Sequence, residues 1–156
     1  MAAATGIAGP ACASTIDGMS KALRLWLVDD SPIWHSVTAS TVEKIGHPIE
    51  FSSFHSANAA ISAFGQLAEH DPGQLPHVIL MDFYIGHDHG NEVTATIREL
   101  EPDDHHCTIV GHSSMTHGSE LICADGGDCI VRKHRNGANL NLSLQAWLSE
   151  YCKSRS

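Results

Sequence analysis

The segment Val-Ile-Leu-Met-Asp at positions 78–82 places a carboxylate directly after four consecutive apolar residues. An uninterrupted apolar run is typical of a strand that is covered on both faces, as in a parallel sheet. The segment Leu-Trp-Leu-Val-Asp-Asp at 25–30 has the same form and ends in two acids. Because ligand sites in open parallel sheets form at the carboxyl ends of the strands, we expect Asp29, Asp30 and Asp82 to lie together at one edge. Three carboxylates this close together favour a bound cation.

The rest of the chain alternates predicted strands with predicted helices. Ser31 and Ser56 are predicted N-caps, and the Asp-Pro-Gly run at 71–73 is a predicted turn. Five strands that alternate with five helices through short loops predict an α/β fold with one doubly wound parallel sheet. The predicted strands are 23–28, 49–54, 77–81, 107–111 and 129–131, and the predicted helices are about 32–45, 57–69, 91–100, 115–124 and 138–152.

Length and composition favour one soluble domain. The chain has 156 residues, of which 42% are hydrophobic, and this suffices for a single core. The formal net charge of −9 argues against nucleic acid as a partner. No apolar stretch approaches the roughly 20 residues that cross a bilayer, so we expect no membrane partner. The five cysteines include no Cys-x-x-Cys pair, which predicts reduced, structural cysteines and a cytoplasmic location.

The chain divides into two expected segments. Residues 1–21 are rich in Ala, Gly and Ser and lack any hydrophobic period, so we expect a flexible N-terminal tail. They also lack the basic and apolar regions of a signal peptide. Residues 22–153 form the predicted domain. Because the last predicted helix ends near residue 152, we expect this domain to stand alone.

Five motifs in this order carry a resemblance to a known family. An acidic pair at 29–30 ends the first strand, Asp82 ends the third, and Gly90 follows Asp82 by eight residues. Ser113 follows the fourth strand, and the run Gly-Gly-Asp-Cys-Ile-Val-Arg-Lys-His at 126–134 precedes the last helix. In these features the chain from about 22 to 153 resembles the receiver domain of two-component response regulators. The resemblance implies a flavodoxin-like sheet with strand order 2-1-3-4-5.

The resemblance also implies a phosphorylation site. Asp82 stands at the position of the phosphoacceptor, Ser113 at that of a hydroxyl donor to the phosphoryl group, and Lys133 at that of a cation for its oxygens. Phosphoryl transfer passes through a loose transition state, so catalysis by such a site consists of positioning and charge neutralisation. The phosphodonor implied is a sensor histidine kinase or a histidine phosphotransfer protein, and the output is binding to a downstream protein target or phosphorelay.

A divalent cation completes the implied site. Mg²⁺ prefers octahedral oxygen ligands and keeps several waters. We therefore expect Mg²⁺ as the cofactor, with ligands that are all oxygen atoms near the carboxyl ends of the first and third strands: Asp29, Asp30, Asp82 and the backbone carbonyl of Tyr84.

Three positions depart from the family pattern. Ile130 stands where a Tyr or Phe is common, and this residue offers neither a ring nor a hydroxyl to the usual switch. His134 replaces the proline that follows the lysine. Because a non-proline cis peptide costs about 2.5–4 kcal/mol, we expect the bond from Lys133 to His134 to be trans. Gly86 stands where a proline is common and loosens the loop after Asp82.

Twelve histidines are a second unusual feature. His87 and His89 lie in the loop after Asp82, His105 and His106 precede the fourth strand, and His112 precedes Ser113. One hypothesis is a transition-metal site or a pH sensor beside the phosphorylation site. The alternative, which the lack of a His-x-x-x-His framework favours, is that they are polar loop residues in contact with water.

Two other functions compete with the signalling module. A phosphohydrolase of the haloacid-dehalogenase type would also use an aspartyl phosphate, but it carries Asp-x-Asp where this chain has Asp82, Phe83 and Tyr84. A receiver fold that takes no phosphate and acts only as a binding scaffold is the second alternative. The presence of Asp82, Ser113 and Lys133 argues against it.

Overall fold

A five-stranded parallel sheet forms the centre of the computed structural model, which describes residues 21–135 and 139–155. Two further short strands pair as an antiparallel hairpin after the third strand. The strands in chain order are β1 Leu23–Val28, β2 Ile49–Phe54, β3 Val78–Met81, β4 Tyr84–Ile85, β5 Asp88–His89, β6 Thr108–Gly111 and β7 Cys129–Ile130. The sheet order is β2-β1-β3-β6-β7. Since β4 and β5 form the hairpin, this is the predicted order 2-1-3-4-5, and the predicted fold class is confirmed.

Five helices cover the sheet. They are α1 Pro32–Glu43, α2 Ala57–His70, α3 Gly90–Leu100, α4 Thr116–Ala124 and α5 Leu142–Arg155, with a 3₁₀ turn at Pro72–Gln74. Ser56 caps α2, because its side chain accepts a hydrogen bond from the N–H of Ala59 at 3.1 Å. Ser31 occupies the N-cap position of α1 but makes no side-chain cap bond there.

Alternating side chains of the central strands divide the core into two apolar clusters. On one face, Trp26 and Ile79 pack with residues of α2, α3 and α4. On the other face, Leu25 and Leu80 pack with Leu148 of α5, and Val42, near the end of α1, packs against them. Helices on both faces are why the strands are continuous apolar runs instead of alternating ones. This is the doubly wound arrangement.

The structure differs from the expected elements at several boundaries. The loop after Asp82, expected to be irregular, contains the β4–β5 hairpin, and α3 begins one residue early, at Gly90. Helix α5 begins at Leu142 and ends at Arg155, so its first buried positions are Leu144 and Leu148. The expected helix start at 138 and the expected tail, apart from Lys21, lie outside the described residues. In the described part of the chain, no helix is both long and apolar enough to span a membrane.

Candidate functional site

Three carboxylates meet at the carboxyl edge of the sheet, as the strand ends predict. Asp29 follows β1 and Asp82 follows β3, and these strands are neighbours with Val28 opposite Met81. Asp29 is fully buried and Asp82 nearly so, whereas Asp30 is exposed. Each of the three acids offers an oxygen, and these oxygens all lie within 4.8 Å of one another. The parallel pairing of β1 with β3 therefore creates a concentrated negative charge at this edge.

The amine of Lys133 lies between the two buried acids. Its Nζ is 2.7 Å from Oδ2 of Asp29 and 3.1 Å from Oδ2 of Asp82. The Lys133 side chain is only 6% exposed, so this cation is held in place and is not a solvated, mobile charge. It also lies 5.1 Å from the ring centroid of Trp34, within the range of a cation–π contact. One cation thus serves two buried carboxylates.

The electrostatics of Asp82 follow from this arrangement. Burial, and then the neighbouring charge of Asp29, raise the pKa of Asp82 from 3.8 to about 6. The Lys133 ammonium and a 2.9 Å hydrogen bond from the N–H of Phe83 to Oδ1 of Asp82 oppose the rise without cancelling it. The site therefore carries more negative charge than Lys133 neutralises, and a further cation would stabilise the ionised form of Asp82.

The backbone after Asp82 is shaped by two glycines. The N–H of Gly90 donates to the carbonyl of Phe83 at 2.6 Å, and a Cβ at position 90 would overlap the carbonyl oxygen of Asp82. Only glycine allows α3 to begin so close to the carbonyl group that follows β3. Gly86 turns the β4–β5 hairpin with a φ of +63°, and its N–H donates to Oδ2 of Asp30 at 2.9 Å. This bond ties the hairpin to the acidic pair.

Ser113 lies at the same edge, beyond the end of β6. The register places Gly111 beside Met81, and the N–H of His112 donates to the carbonyl of Met81 at 2.8 Å. The Ser113 side chain is nearly buried, and its Oγ accepts the N–H of Met115 at 3.1 Å. The hydroxyl proton of Ser113 is thus left to donate to another acceptor.

Tyr84, whose carbonyl is a predicted metal ligand, lies in β4 two residues after Asp82. Its ring is 51% exposed and packs against Phe83 and His89, with ring centroids 4.8 and 5.6 Å away. The hairpin that contacts Asp30 therefore carries an exposed aromatic residue. The ligand role of the Tyr84 carbonyl stays a prediction.

Sequence reasoning missed a buried polar group beside Ser113. His112 is fully buried, so the expectation of a water-exposed loop histidine is wrong here. Burial, and secondarily the charge of Lys133, lower the pKa of His112 to about 3, which keeps the imidazole neutral near pH 7. His112 is therefore no pH sensor in the neutral range. The available signal was its place directly after the apolar strand β6.

The remaining loop histidines do not gather at the acidic cluster. Nδ1 of His89 lies 3.8 Å from Oε1 of Glu92, and Nε2 of His106 lies 3.0 Å from Oδ1 of Asp128. Of the histidines named in the metal or pH hypothesis, only His105 joins a group of three possible metal ligands within the described residues, and that group is separate from the acidic cluster.

A separate group of Glu101, His105 and Cys107 brings metal-ligand atoms within 4.8 Å of one another. The guanidinium of Arg98 already contacts both oxygens of Glu101, at 2.9 and 3.0 Å, and the carbonyl of Cys107 at 2.9 Å. Burial also raises the pKa of Cys107, which disfavours the thiolate that a metal needs. We assign this group to an arginine-centred structural network, which also includes the 2.8 Å bond from Arg98 to Asp128.

Comparison with known proteins supports the fold. No protein-family model matches the sequence, and no curated protein sequence matches it. The phosphorylated cyanobacterial phytochrome response regulator RcpA superposes with a TM-score of 0.69 at 17% identity, over 87% of this chain and 97% of RcpA. The Mn²⁺-bound response regulator Rcp1 gives 0.68 at 22% identity, over 84% of this chain and 95% of Rcp1. A mutant receiver domain of the histidine kinase CKI1 from Arabidopsis thaliana superposes with a TM-score of 0.64 at 21% identity, over 80% of this chain and 90% of that domain.

These similarities define the class of fold. The chain has the fold of response-regulator receiver domains along most of its described length. At these levels of identity the likeness concerns the fold. The chemistry of the site depends on the residues of this chain.

Proposed function

We propose that this chain is a phosphorylation-dependent signalling module that accepts a phosphoryl group on Asp82. The observation that carries the proposal is the single buried Lys133 amine shared by Asp29 and Asp82, at 2.7 and 3.1 Å. A solvated turn would not keep two carboxylates and an ammonium out of water, because each charge loses hydration energy on burial. Such an arrangement suits a carboxylate whose charge changes during its function.

The residues divide the work of phosphoryl transfer among them. An oxygen of Asp82 attacks the phosphorus, and the bond from phosphorus to the donor nitrogen or oxygen breaks. Lys133 already lies against Asp82 and supplies positive charge for the phosphoryl oxygens. The hydroxyl of Ser113 is the proposed hydrogen-bond donor to the same group. The product carries about two negative charges in place of one, and this change is the signal.

We propose Mg²⁺ as the cofactor, held by Asp29, Asp30, Asp82 and the carbonyl of Tyr84. The donor set fits, because the three carboxylate groups offer oxygens within 4.8 Å of one another and Lys133 leaves part of their charge uncompensated. When bound, the ion neutralises charge that develops on the phosphoryl oxygens.

Asp30→Asn provides a test of the metal site. The exposed Asp30 contacts Gly86, and an Asn oxygen can accept the same hydrogen bond, so we expect the fold to be retained. We expect Mg²⁺ affinity, measured by isothermal titration calorimetry, to fall by about tenfold or more, since one charged ligand is lost. Asp104→Asn, an exposed acid at the opposite end of β6, is the control. Unchanged Mg²⁺ binding in Asp30→Asn would remove Asp30 from the proposed ligands.

The proposed partners follow from the same chemistry. The phosphodonor is a sensor histidine kinase or a histidine phosphotransfer protein, and the output is binding to a downstream protein or phosphorelay. Cys107, Cys123 and Cys129 are free thiols, which suits the reducing cytoplasm as the proposed place of action.

Intact-mass analysis with acetyl phosphate and Mg²⁺ tests the proposal. We expect one phosphoryl group on the wild-type protein, none on Asp82→Asn and wild-type labelling of Asp104→Asn. Peptide mapping after borohydride reduction places the group on Asp82. Absence of labelling, together with absence of beryllofluoride binding, would refute phosphate acceptance and favour the scaffold. Continuous release of phosphate from a generic phosphate ester would instead favour the phosphohydrolase.

A further inference from the structure

The backbone around Lys133 has few anchors of its own. Strand β7 ends at Ile130, and the N–H of Val131 donates to the carbonyl of Gly111 at 3.0 Å. Within the described residues, the N–H of Lys133 makes one long bond, of 3.5 Å, to the carbonyl of Ser113. Because the sheet bond at Lys133 is long, contacts from outside the sheet contribute more to the position of its backbone.

The side chain of Asn141 supplies a further anchor. Its Nδ2 donates to the carbonyl of Arg132, the residue before Lys133, at 3.1 Å. Its Oδ1 accepts the N–H of Leu144 at 3.1 Å and so caps α5. The cap bond fixes which amide atom is oxygen, because a backbone N–H can only donate. Asn141 is 1% exposed, and its own N–H donates to Oγ1 of Thr41 in α1 at 3.0 Å.

His112 completes the arrangement from the side of the sheet. Its Nε2 lies 3.1 Å from Nδ2 of Asn141. Because that amide nitrogen can only donate, Nε2 of His112 is the acceptor and the imidazole is neutral. The His112 ring also stands edge-on to Trp34 at 6.0 Å, and Trp34 in turn contacts the Lys133 amine. His112 therefore contacts the lysine loop through Asn141 and the lysine amine through Trp34.

We propose that Asn141 and His112 are positioning residues that hold the Lys133 loop so that the Lys133 amine lies between Asp29 and Asp82. The two side chains form a buried bridge from the end of β6 to the loop before α5. The bridge acts on Lys133 whether or not Asp82 is phosphorylated. Its consequence for phosphoryl transfer rests on the proposed function, but the placement of Lys133 does not.

Asn141→Ser isolates the bridge from the helix cap. Serine is a good N-cap and can still accept the N–H of Leu144, but it has no amide nitrogen to donate to Arg132 and His112. Ser56→Ala is the matched control, since it removes the cap of α2 and touches none of the bridge residues. Melting curves of both variants show whether each remains folded.

Reductive methylation of lysines, followed by peptide mass spectrometry, measures the placement of Lys133 without any phosphoryl group. In the wild type we expect slow labelling of Lys133 and fast labelling of Lys153, which is exposed. In Asn141→Ser we expect Lys133 to label about tenfold faster or more, with Lys153 unchanged. Ser56→Ala should label as the wild type does. Wild-type labelling of Lys133 in folded Asn141→Ser would overturn the proposal.

A second pair of variants keeps the test decisive if Asn141→Ser does not fold. His112→Gln retains an acceptor for the Asn141 amide, whereas His112→Leu does not. We expect fast methylation of Lys133 in His112→Leu. In His112→Gln we expect the methylation rate of Lys133 to stay close to that of the wild type. Equal labelling in the two His112 variants would overturn the assignment of His112.

Beryllofluoride titration links the bridge to the proposed function and separates the two ideas. At saturating Mg²⁺ we expect Asn141→Ser to lower beryllofluoride affinity by about tenfold or more, because the Lys133 amine is no longer held beside Asp82, where the phosphoryl analogue would bind. If the wild type neither binds beryllofluoride nor accepts a phosphoryl group from acetyl phosphate, the proposed function is refuted, while a labelling difference at Lys133 would still support the bridge. Wild-type beryllofluoride affinity in a variant with a freed Lys133 would refute the link between them.

Discussion

At the scale of single residues, folding disfavours the ionised form of the buried Asp82 carboxyl. Its pKa is about 6 in the folded chain against an ordinary value of 3.8, because burial and Asp29 outweigh Lys133. Below about pH 4 the carboxyl is protonated in both the folded and the unfolded states and contributes nothing. Between about pH 4 and pH 6 the folded state binds more protons than the unfolded state. The free energy of unfolding therefore falls as the pH rises through about 6.

We therefore expect Asp82→Asn to increase the free energy of unfolding at pH 7 in EDTA by about 1–3 kcal/mol. The gain should disappear near pH 4 and shrink when Mg²⁺ is added, since a cation that binds only the folded wild type stabilises it. Urea unfolding at several pH values is the measurement, with Asp104→Asn as an exposed control. A loss of stability in Asp82→Asn at pH 7 would show that the ion pair with Lys133 outweighs burial.

A second prediction at this scale concerns the lifetime of the phosphorylated protein. Tyr84 and Met115 are bulky and 51% and 41% exposed, and they lie two residues after Asp82 and Ser113. Neither side chain is an acid or an amide that could orient an attacking water. Since misplacing a nucleophile by about an ångström costs on the order of 10²-fold in rate, we expect slow dephosphorylation.

Decay of the phosphorylated protein between pH 6 and 8, followed by intact mass, checks the lifetime. We expect faster decay when Tyr84→Asn is combined with Met115→Ala. His87→Ala tests whether a loop histidine acts as a base instead. A wild-type half-life of seconds, or identical decay in the double variant, would mean that Tyr84 and Met115 do not shield the phosphate.

At the scale of elements, helix α4 packs closely against Phe83. A Cβ at Gly118 would lie 2.7 Å from Cβ and Cγ of Phe83, the residue after Asp82, and a Cβ at Gly111 would lie 3.1 Å from Ser119. Helix α4 has nine residues, close to the predicted range of 115–124. It approaches the sheet closely because Gly118 and Gly111 have no side chains.

Two helical glycines provide a matched test of this packing. We expect Gly118→Ala to lower the free energy of unfolding by about 1–3 kcal/mol, because α4 must move away from Phe83. We expect Gly65→Ala in α2 to raise it by about 0.5–1 kcal/mol, since a Cβ there meets only Leu100, at 3.8 Å, and alanine favours the helix. Chemical denaturation of both variants measures these changes in the free energy of unfolding. Stabilisation by Gly118→Ala would show that α4 shifts without cost.

At the scale of the whole molecule, the described sheet and its two apolar clusters begin at Leu23. Residues 1–20 are mostly small and offer little apolar surface to offset the entropy of ordering them. We expect their removal to shift the melting temperature by no more than about 2 °C. Removal of residues 1–24 is the control, because it also deletes the fully buried Leu23 from β1 and should lower the melting temperature sharply. A large drop after the shorter deletion would mean that residues 1–20 pack on the domain.

The sequence alone determined the α/β class, the strand order implied by the resemblance and the edge at which the acids lie. These features follow from local patterns, since a buried strand is a short apolar run and its end is marked by the first polar residue. The sequence determined the first and last residues of the helices and strands less well. Gly90 was not predicted to begin α3, because its close approach to Asp82 is a contact between elements.

Only the tertiary structure decided the electrostatics and the support of the site. Lys133 contacts Asp29 and Asp82 across long stretches of chain, and Asn141 contacts His112 across 29 residues. Such contacts leave no period and no adjacent motif in the sequence, because the backbone folds between them. His112 has the sequence context of a loop histidine, yet it is fully buried and contacts Trp34 of α1 and Asn141. The residues that could carry a charge were legible in the sequence, whereas their burial and partners, which set their pKa values, arise only when distant segments pack together.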